Sequence, residues 1–178
     1  MTQFTLFETP IGWAAVSWSD AGLAAVRLPQ SERSHALAAV KRRSPKATEA
    51  DPPPAIAAVI DDICALLAGG KPDFTRAPLD TSHTPEFHAR VYEVARAIPP
   101  GETLTYGDVA ERRGDKQLAR EVGQALGKNP WPIVIPCHRV TAAGGKLGGF
   151  SAPGGSATKL KLLAIEGAQA AAQGDLFG

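Results

Sequence analysis

Residues 129–140 read Asn-Pro-Trp-Pro-Ile-Val-Ile-Pro-Cys-His-Arg-Val, and three prolines restrict the backbone around an apolar run. An apolar run, Ile133-Val134-Ile135, ends in Pro136, and Cys137 and His138 follow at once. Proline has no N–H to give a ladder, so a strand through this run has to stop at Pro136, and the thiol is expected at a strand end rather than mid-sheet. The residue types carry chemistry as well. A free cysteine with a pKa near ~8.5 is mostly protonated at neutral pH, and a neighbouring imidazole is the usual means of making the thiolate. The plainer reading is a buried structural cysteine. Neighbours on a strand also point to opposite faces, so adjacency alone does not bring Cys137 and His138 into contact.

The rest of the chain is punctuated in the same way, with fifteen prolines and eighteen glycines. Phe4–Thr9, Gly12–Ser19 and Gly22–Leu28 are short β-rich runs separated by Pro10-Ile11 and Asp20-Ala21-Gly22, which predicts an antiparallel meander. Ser31–Arg43 reads as a helix with Leu37 and Val40 on one side, and Ser44–Pro54 as a proline-rich loop. Ala55–Leu67 has Ile56, Val59, Ile60, Ile63 and Leu67 at helical spacing, with Cys64 inside as a packing residue. Lys71–Asp80 reads as a strand leading to a linker near Thr81-Ser82-His83. Thr84-Pro85-Glu86 has the form of a helix start: a capping residue, proline at the first position, then a carboxylate at the positive dipole end. Phe87, Val91, Val94, Ala95 and Ile98 give that helix its apolar face, and Pro99-Pro100-Gly101 end it. Thr105–Arg113 and Lys116–Gly127 are two short helices about the turn Gly114-Asp115, with the spacing of a helix-turn-helix or, equally, of an αα-hairpin. Gly144–Gly155 is a glycine-rich loop and Ala157–Glu166 a final helix.

Composition narrows the class. With 44% apolar and 21% charged residues, the chain is an ordinary globular protein of one large or two small domains. Its net charge of +1 selects no partner, but residues 111–146 hold seven basic residues against three acidic ones. That window suits a nucleic-acid contact or a plain solvated face. Two cysteines give no disulfide framework, and no Cys/His spacing suits zinc. His83 and His88 lack the companions a metal needs, so no metal or cofactor is expected. Neither a signal peptide nor a membrane-length apolar stretch is expected, which fits a reducing, cytoplasmic location.

Five blocks in order, over Thr84 to Gly167, resemble the C-terminal domain of the O6-alkylguanine-DNA alkyltransferases. They are Ile98-Pro99-x-Gly101-Glu102-Thr103, Tyr106-Gly107-x-x-Ala110, Ala119-Arg120-x-Val122-Gly123, the Asn129–Val140 run, and Leu162-Leu163-x-x-Glu166-Gly167. The resemblance implies an α+β protein. A ribonuclease H-like sheet-and-helix domain (1–80) would precede a mostly helical domain (84–167) with a winged helix-turn-helix-like DNA-binding motif, and a flexible tail (168–178) would follow. It implies a monomer that binds double-stranded DNA containing O6-alkylguanine. It also implies irreversible transfer of the alkyl group to Cys137, a displacement that leaves a thioether and ends the protein's activity after one event.

The residue roles come from the same resemblance. His138 would take the thiol proton, in relatives through a bound water, and Glu166 would orient His138 in a relay with the logic of a hydrolase triad. Asn129 would brace the segment before the nucleophile. A base inside a duplex has to be flipped out to be reached. Arg120 matches the arginine that fills the vacated space, with Tyr106, Gly107 and Lys116 also on the DNA side. Tyr106 would flank the pocket and donate to the departing guanine, while Trp131, Pro132, Phe150 and Ser151 would line it. The bland roles are a surface phosphate contact or helix salt bridge for Arg120, helix-start packing for Tyr106 and a solvated helix-end carboxylate for Glu166. The chain departs from the family pattern at Phe150, where many relatives have tyrosine, at the longer loop Ser151–Gly155, and at Glu121 beside Arg120; substrate range is most affected. The rivals are an alkyltransferase-like protein that binds lesions without transfer, against which Cys137 argues, and a cysteine hydrolase. Lastly, Gln173-Gly174-Asp175-Leu176-Phe177 resembles the Gln-x-Asp-Leu-Phe peptide that docks bacterial repair proteins on the sliding clamp. Gln173, Leu176 and Phe177 are its anchors.

Overall fold

A computed structural model describes residues 2–142 and 155–168. The chain divides into two compact units, Met1–His83 with Pro130–Val134, and Thr84–Asn129 with the chain from Ile135 onward.

The first unit is built on a four-stranded sheet in the order β3-β2-β1-β4. Strands β1 (Gln3–Thr9), β2 (Gly12–Ser19) and β3 (Gly22–Gln30) form the expected antiparallel meander. Helix α1 (Arg33–Arg43) turns Ala36, Ala39 and Val40 inward. Phe4, Leu6, Ala15, Ala36, Val40 and Ala47 form one buried cluster, with Trp13 and Leu37 packed against it. Each large side chain removed from water there contributes about 1.5–3 kcal/mol. Helix α2 (Pro54–Leu67) buries Ile56, Val59, Ile63, Leu66 and Leu67.

Two expectations for this unit fail. The loop over 44–54 contains a short strand, β4 (Thr48–Glu49), parallel to β1. Thr48 N and, just past the strand, Ala50 N donate to Thr2 O and Phe4 O, so backbone pairing at a sheet edge overrides the proline-rich composition. The strand expected over Lys71–Asp80 reduces to a single bridge between Leu23 and Leu79. Pro72 and Pro78 supply no ladder donor, and Asp73 Oδ1 accepts from Thr75 N at 2.9 Å, closing a local turn.

The second unit is mostly helical: α3 (Glu86–Arg96), α4 (Tyr106–Arg112), a 3₁₀ turn at Lys116–Leu118, α5 (Ala119–Gly127) and α6 (Gly155–Glu166). The helical core is Val91, Tyr92, Ala95, Val109, Ala110, Val122, Ala125 and Leu126. Tyr92 Oη donates to Ala125 O at 2.7 Å and so ties α3 to α5. Helix α3 starts one residue later than expected, with Pro85 rather than Thr84 in the capping position and no side-chain cap. Helix α4 is fixed by a capping box that the sequence reading passed over. Asp108 N donates to Thr105 Oγ1, and Thr105 N donates to Asp108 Oδ2, both at 3.0 Å. Just before it, β5 (Leu104–Thr105) pairs in parallel with β6 (Val140–Thr141). That long-range pairing has no local signal. The architecture is α+β, a mixed sheet with helices followed by a helical unit, as expected. Ala168, expected to open the flexible tail, is 1% exposed, and its N–H donates to Leu163 O as part of the α6 terminus.

Candidate active site

No strand leads to the thiol. Residues 132–134 turn, Ile133 sits at φ 76, and Cys137 N donates to Ile135 O at 2.7 Å. The prolines at 130, 132 and 136 leave too few donors for a ladder, so the run folds on itself instead. Cys137–Arg139 form a 3₁₀ turn that runs directly into β6. Successive side chains on such a turn diverge by about 120°. Cys137, His138 and Arg139 therefore enter three different environments, all buried.

His138 is 0% exposed. Its Nε2–H donates to Glu166 Oε2 at 2.9 Å. An ionised carboxylate can only accept, so Nε2 carries the hydrogen and Nδ1 is left with its lone pair. Among the described residues Nδ1 has no hydrogen-bond partner. Burial pushes the His138 imidazole down, against the pull of Glu166. The ring is thus a neutral base at neutral pH with one nitrogen available.

Glu166 is held by more than His138. Arg139 Nε donates to its Oε1 at 2.9 Å and Arg139 Nη2 to its Oε2 at 2.6 Å, a two-pronged clamp, while Arg139 Nη1 donates to Ile98 O at 2.6 Å. Burial raises the Glu166 carboxyl, but the hydrogen bonds and charges of His138 and Arg139 outweigh it and hold the group at about 2. Arg139 was counted above with the basic window; buried in this pair, it is no part of a surface patch. Gly101, at φ 92, lets the turn after α3 pass close by: a Cβ there would lie 3.3 Å from Glu166 O.

Cys137 is 5% exposed. Burial raises its thiol, while the Asn129 side chain, the Lys159 charge and the backbone N–H groups of Cys137 and His138 pull it down. Asn129 Nδ2 donates to Ile135 O at 2.9 Å, which clasps the two ends of the 130–134 excursion. Tyr106 opens α4, half-buried, with its ring beside Gly123 of α5. Lys159 lies 1% exposed on α6 and donates to Val140 O at 2.7 Å and to Tyr106 Oη at 3.5 Å.

Cys137, His138, Glu166, Asn129 and Tyr106 therefore belong to one unit and one connected set. Arg120, Glu121 and Lys116 are exposed around the start of α5, and Gly107 is half-buried, 3.7 Å from Lys116 Cε if given a Cβ. Trp131 and Pro132 belong to the first unit, where Trp131 Nε1 donates to Leu23 O at 2.7 Å. That bond gives Trp131 a packing role. Phe150, Ser151 and the peptide with Gln173, Leu176 and Phe177 lie outside the described residues. The sequence reading missed Arg139 as a clamp and missed Lys159 altogether. A signal for Lys159 existed: positions 159, 162, 163 and 166 share a helix face, so a lysine stands in line with two buried leucines and Glu166.

The fold and the site define a class: a thiol protein whose buried cysteine adjoins an imidazole–carboxylate pair within a helix-turn-helix unit. The family model for the DNA-binding domain of 6-O-methylguanine DNA methyltransferase matches residues 86–168. A methylated-DNA–protein-cysteine methyltransferase of Methanothermobacter thermautotrophicus is 40% identical over 85% of this chain and 78% of that protein. A crystal structure of Mycobacterium tuberculosis OGT in complex with DNA is similar over 99% of both chains, with 31% identity and a TM-score of 0.72. A DNA base-flipping protein of Thermus thermophilus is 40% identical over 62% of this chain and 72% of that protein. The chain belongs to the methylated-DNA–protein-cysteine methyltransferase family, a family of DNA-repair proteins.

Proposed function

We propose that this protein repairs DNA by irreversible, stoichiometric transfer of the alkyl group from O6-alkylguanine to Cys137, acting as a monomer in the cytoplasm. One observation carries the reading: the buried Cys137 shares its turn with His138, whose Nε2–H is locked on Glu166 and whose Nδ1 is left as a base. In the proposed step Nδ1 takes the thiol proton through a bridging water, and Glu166 balances the imidazolium that forms. The sulfur attacks the O6-bound carbon, the C–O bond breaks, and guanine leaves with the electron pair, taking a proton from Tyr106. The exposed Arg120 on α5 is the proposed wedge that replaces the flipped base. Phosphate contacts along the helix pair make binding salt-sensitive and tolerant of sequence.

Intact mass and peptide mapping after reaction with excess lesion duplex test this. One methyl on Cys137 and none on Cys64 is expected; repeated turnover or methyl elsewhere rejects it. Arg120→Ala is expected to slow repair in duplex more than reaction with the free base, and equal losses reject the wedge.

The base-flipping relative keeps a second reading in view, lesion binding without transfer. Cys137→Ser is expected to abolish transfer while leaving lesion binding largely intact, whereas unmodified wild-type protein after reaction supports the binding module. The Gln173–Phe177 peptide is proposed as a tether to the bacterial sliding clamp. A tail peptide that binds a clamp no better than its Leu176→Ala, Phe177→Ala double variant at micromolar concentration removes the tether and leaves repair untouched.

A further inference from the structure

A buried ammonium needs an anion. Among the described residues the Lys159 Nζ contacts neutral groups of two residues: Val140 O at 2.7 Å, and Tyr106 through Oη at 3.5 Å and a ring centroid 5.7 Å away. No carboxylate pairs with it among the described residues, and both Glu166 oxygens are taken by His138 and Arg139. The carbonyl that anchors Lys159 belongs to Val140, whose own N–H closes the 3₁₀ turn on Cys137 O. The cation is therefore fixed to the very turn that carries the sulfur. We propose that Lys159 is the counter-ion of the Cys137 thiolate, a fixed positive charge that favours ionisation of the sulfur. The proposal rests on Cys137 as the alkyl acceptor.

The electrostatics of the surroundings agree. Burial drives the Lys159 ammonium down to about 8, and the charge on Cys137 pulls it back up. Lys159 in turn pulls the thiol down against burial. Among the described residues, the other groups facing the sulfur carry no competing charge at neutral pH. Tyr92 of α3 and Tyr106 of α4 are phenols raised by burial and by the Cys137 charge, Tyr92 to about 12. Asn129 is neutral, His138 is pushed down by burial, and Glu166 and Arg139 neutralise each other. On ionisation the Sγ–H bond breaks and the proton passes to His138, so imidazolium faces Glu166 and thiolate faces Lys159. On alkylation the S–C bond forms, the C–O6 bond breaks, the sulfur becomes neutral and guanine takes the Tyr106 proton, so the negative charge passes from the sulfur to the Tyr106 oxygen 3.5 Å from Lys159.

The test uses the full chain without DNA, in a Cys64→Ser background. The rate of Cys137 modification by iodoacetamide is followed by peptide mass from about pH 5 to about pH 10. Lys159→Met is expected to move the midpoint up by at least about one pH unit, roughly a tenfold loss of thiolate at neutral pH. Lys159→Arg, which keeps the charge, is expected to restore most of it. Thermal unfolding runs alongside, and Lys159→Gln replaces the Met variant if that fails to fold. Coincident midpoints for wild type and the neutral variant, with only the unfolding temperature lowered, overturn the proposal and leave Lys159 as a strut on Val140. Iodoacetamide needs no lesion, so a shifted thiol profile in a protein that repairs nothing rejects the transfer reading alone. Intact repair with an unshifted profile rejects the role of Lys159 alone.

Discussion

Removing the Arg139 side chain is the sharpest probe of how the site is held. Arg139→Met deletes three hydrogen bonds, two to Glu166 and one to Ile98 O, and leaves the Glu166 carboxylate, 1% exposed, with His138 alone. Breaking one side of a buried pair costs about 3–5 kcal/mol, because the remaining charge stays out of water. The acidity of Glu166 sets a scale for the hold of His138 and Arg139 together, of which Arg139 supplies a part. The Glu166 carboxyl stands at about 2 against an ordinary value of 4.5, and at about 1.4 kcal/mol per pH unit the gap is worth about 3 kcal/mol. A carboxyl that is more acidic in the folded state stabilises fully above about 4.5 and loses that contribution as pH falls towards about 2. Urea denaturation at neutral pH is therefore expected to show Arg139→Met destabilised by about 3 kcal/mol or more, a large share of a typical domain's 5–15 kcal/mol. Adding Glu166→Gln, which removes the stranded charge, is expected to return part of the loss, a coupling that the double-mutant cycle isolates. Wild type is expected to lose stability steeply between about pH 4.5 and about pH 2, and the double variant less so. A loss below about 1 kcal/mol for Arg139→Met, or strictly additive effects, refutes the clamp.

Two further outcomes follow from single contacts. Tyr92→Phe is expected to lose about 1–2 kcal/mol in denaturant titrations, since it removes the bond to Ala125 O; an unchanged midpoint rejects that bond as a tie between helices. Gly101→Ala combines a strained backbone at φ 92 with a methyl 3.3 Å from Glu166 O, so a loss of about 1–3 kcal/mol in thermal unfolding is expected. Stability equal to wild type rejects the close approach.

Much of this molecule could be read without coordinates. The three opening strands were legible because turn residues fall between β-rich runs. The paired helices after Leu104 were legible because Gly114 and Asp115 interrupt two amphipathic stretches. Cys137, His138 and Glu166 could be chosen because their blocks resemble those of the alkyltransferase family, where residue type and spacing alone left a structural cysteine and a solvated carboxylate. Tertiary structure decided what long-range pairing decides. The strand at Thr48–Glu49 exists only because the edge of β1 accepts it, and β5 and β6 meet across 36 positions of chain. Lys71–Asp80 failed as a strand because Leu23 offers it a single bridge rather than a ladder. The roles of Arg139 and Lys159 were hidden for the same reason. In sequence both are cations that belong in water by default. In the folded chain one is clamped to a carboxylate and the other, with no carboxylate partner among the described residues, lies beside the Cys137 turn, and burial, which no residue determines by itself, makes the difference.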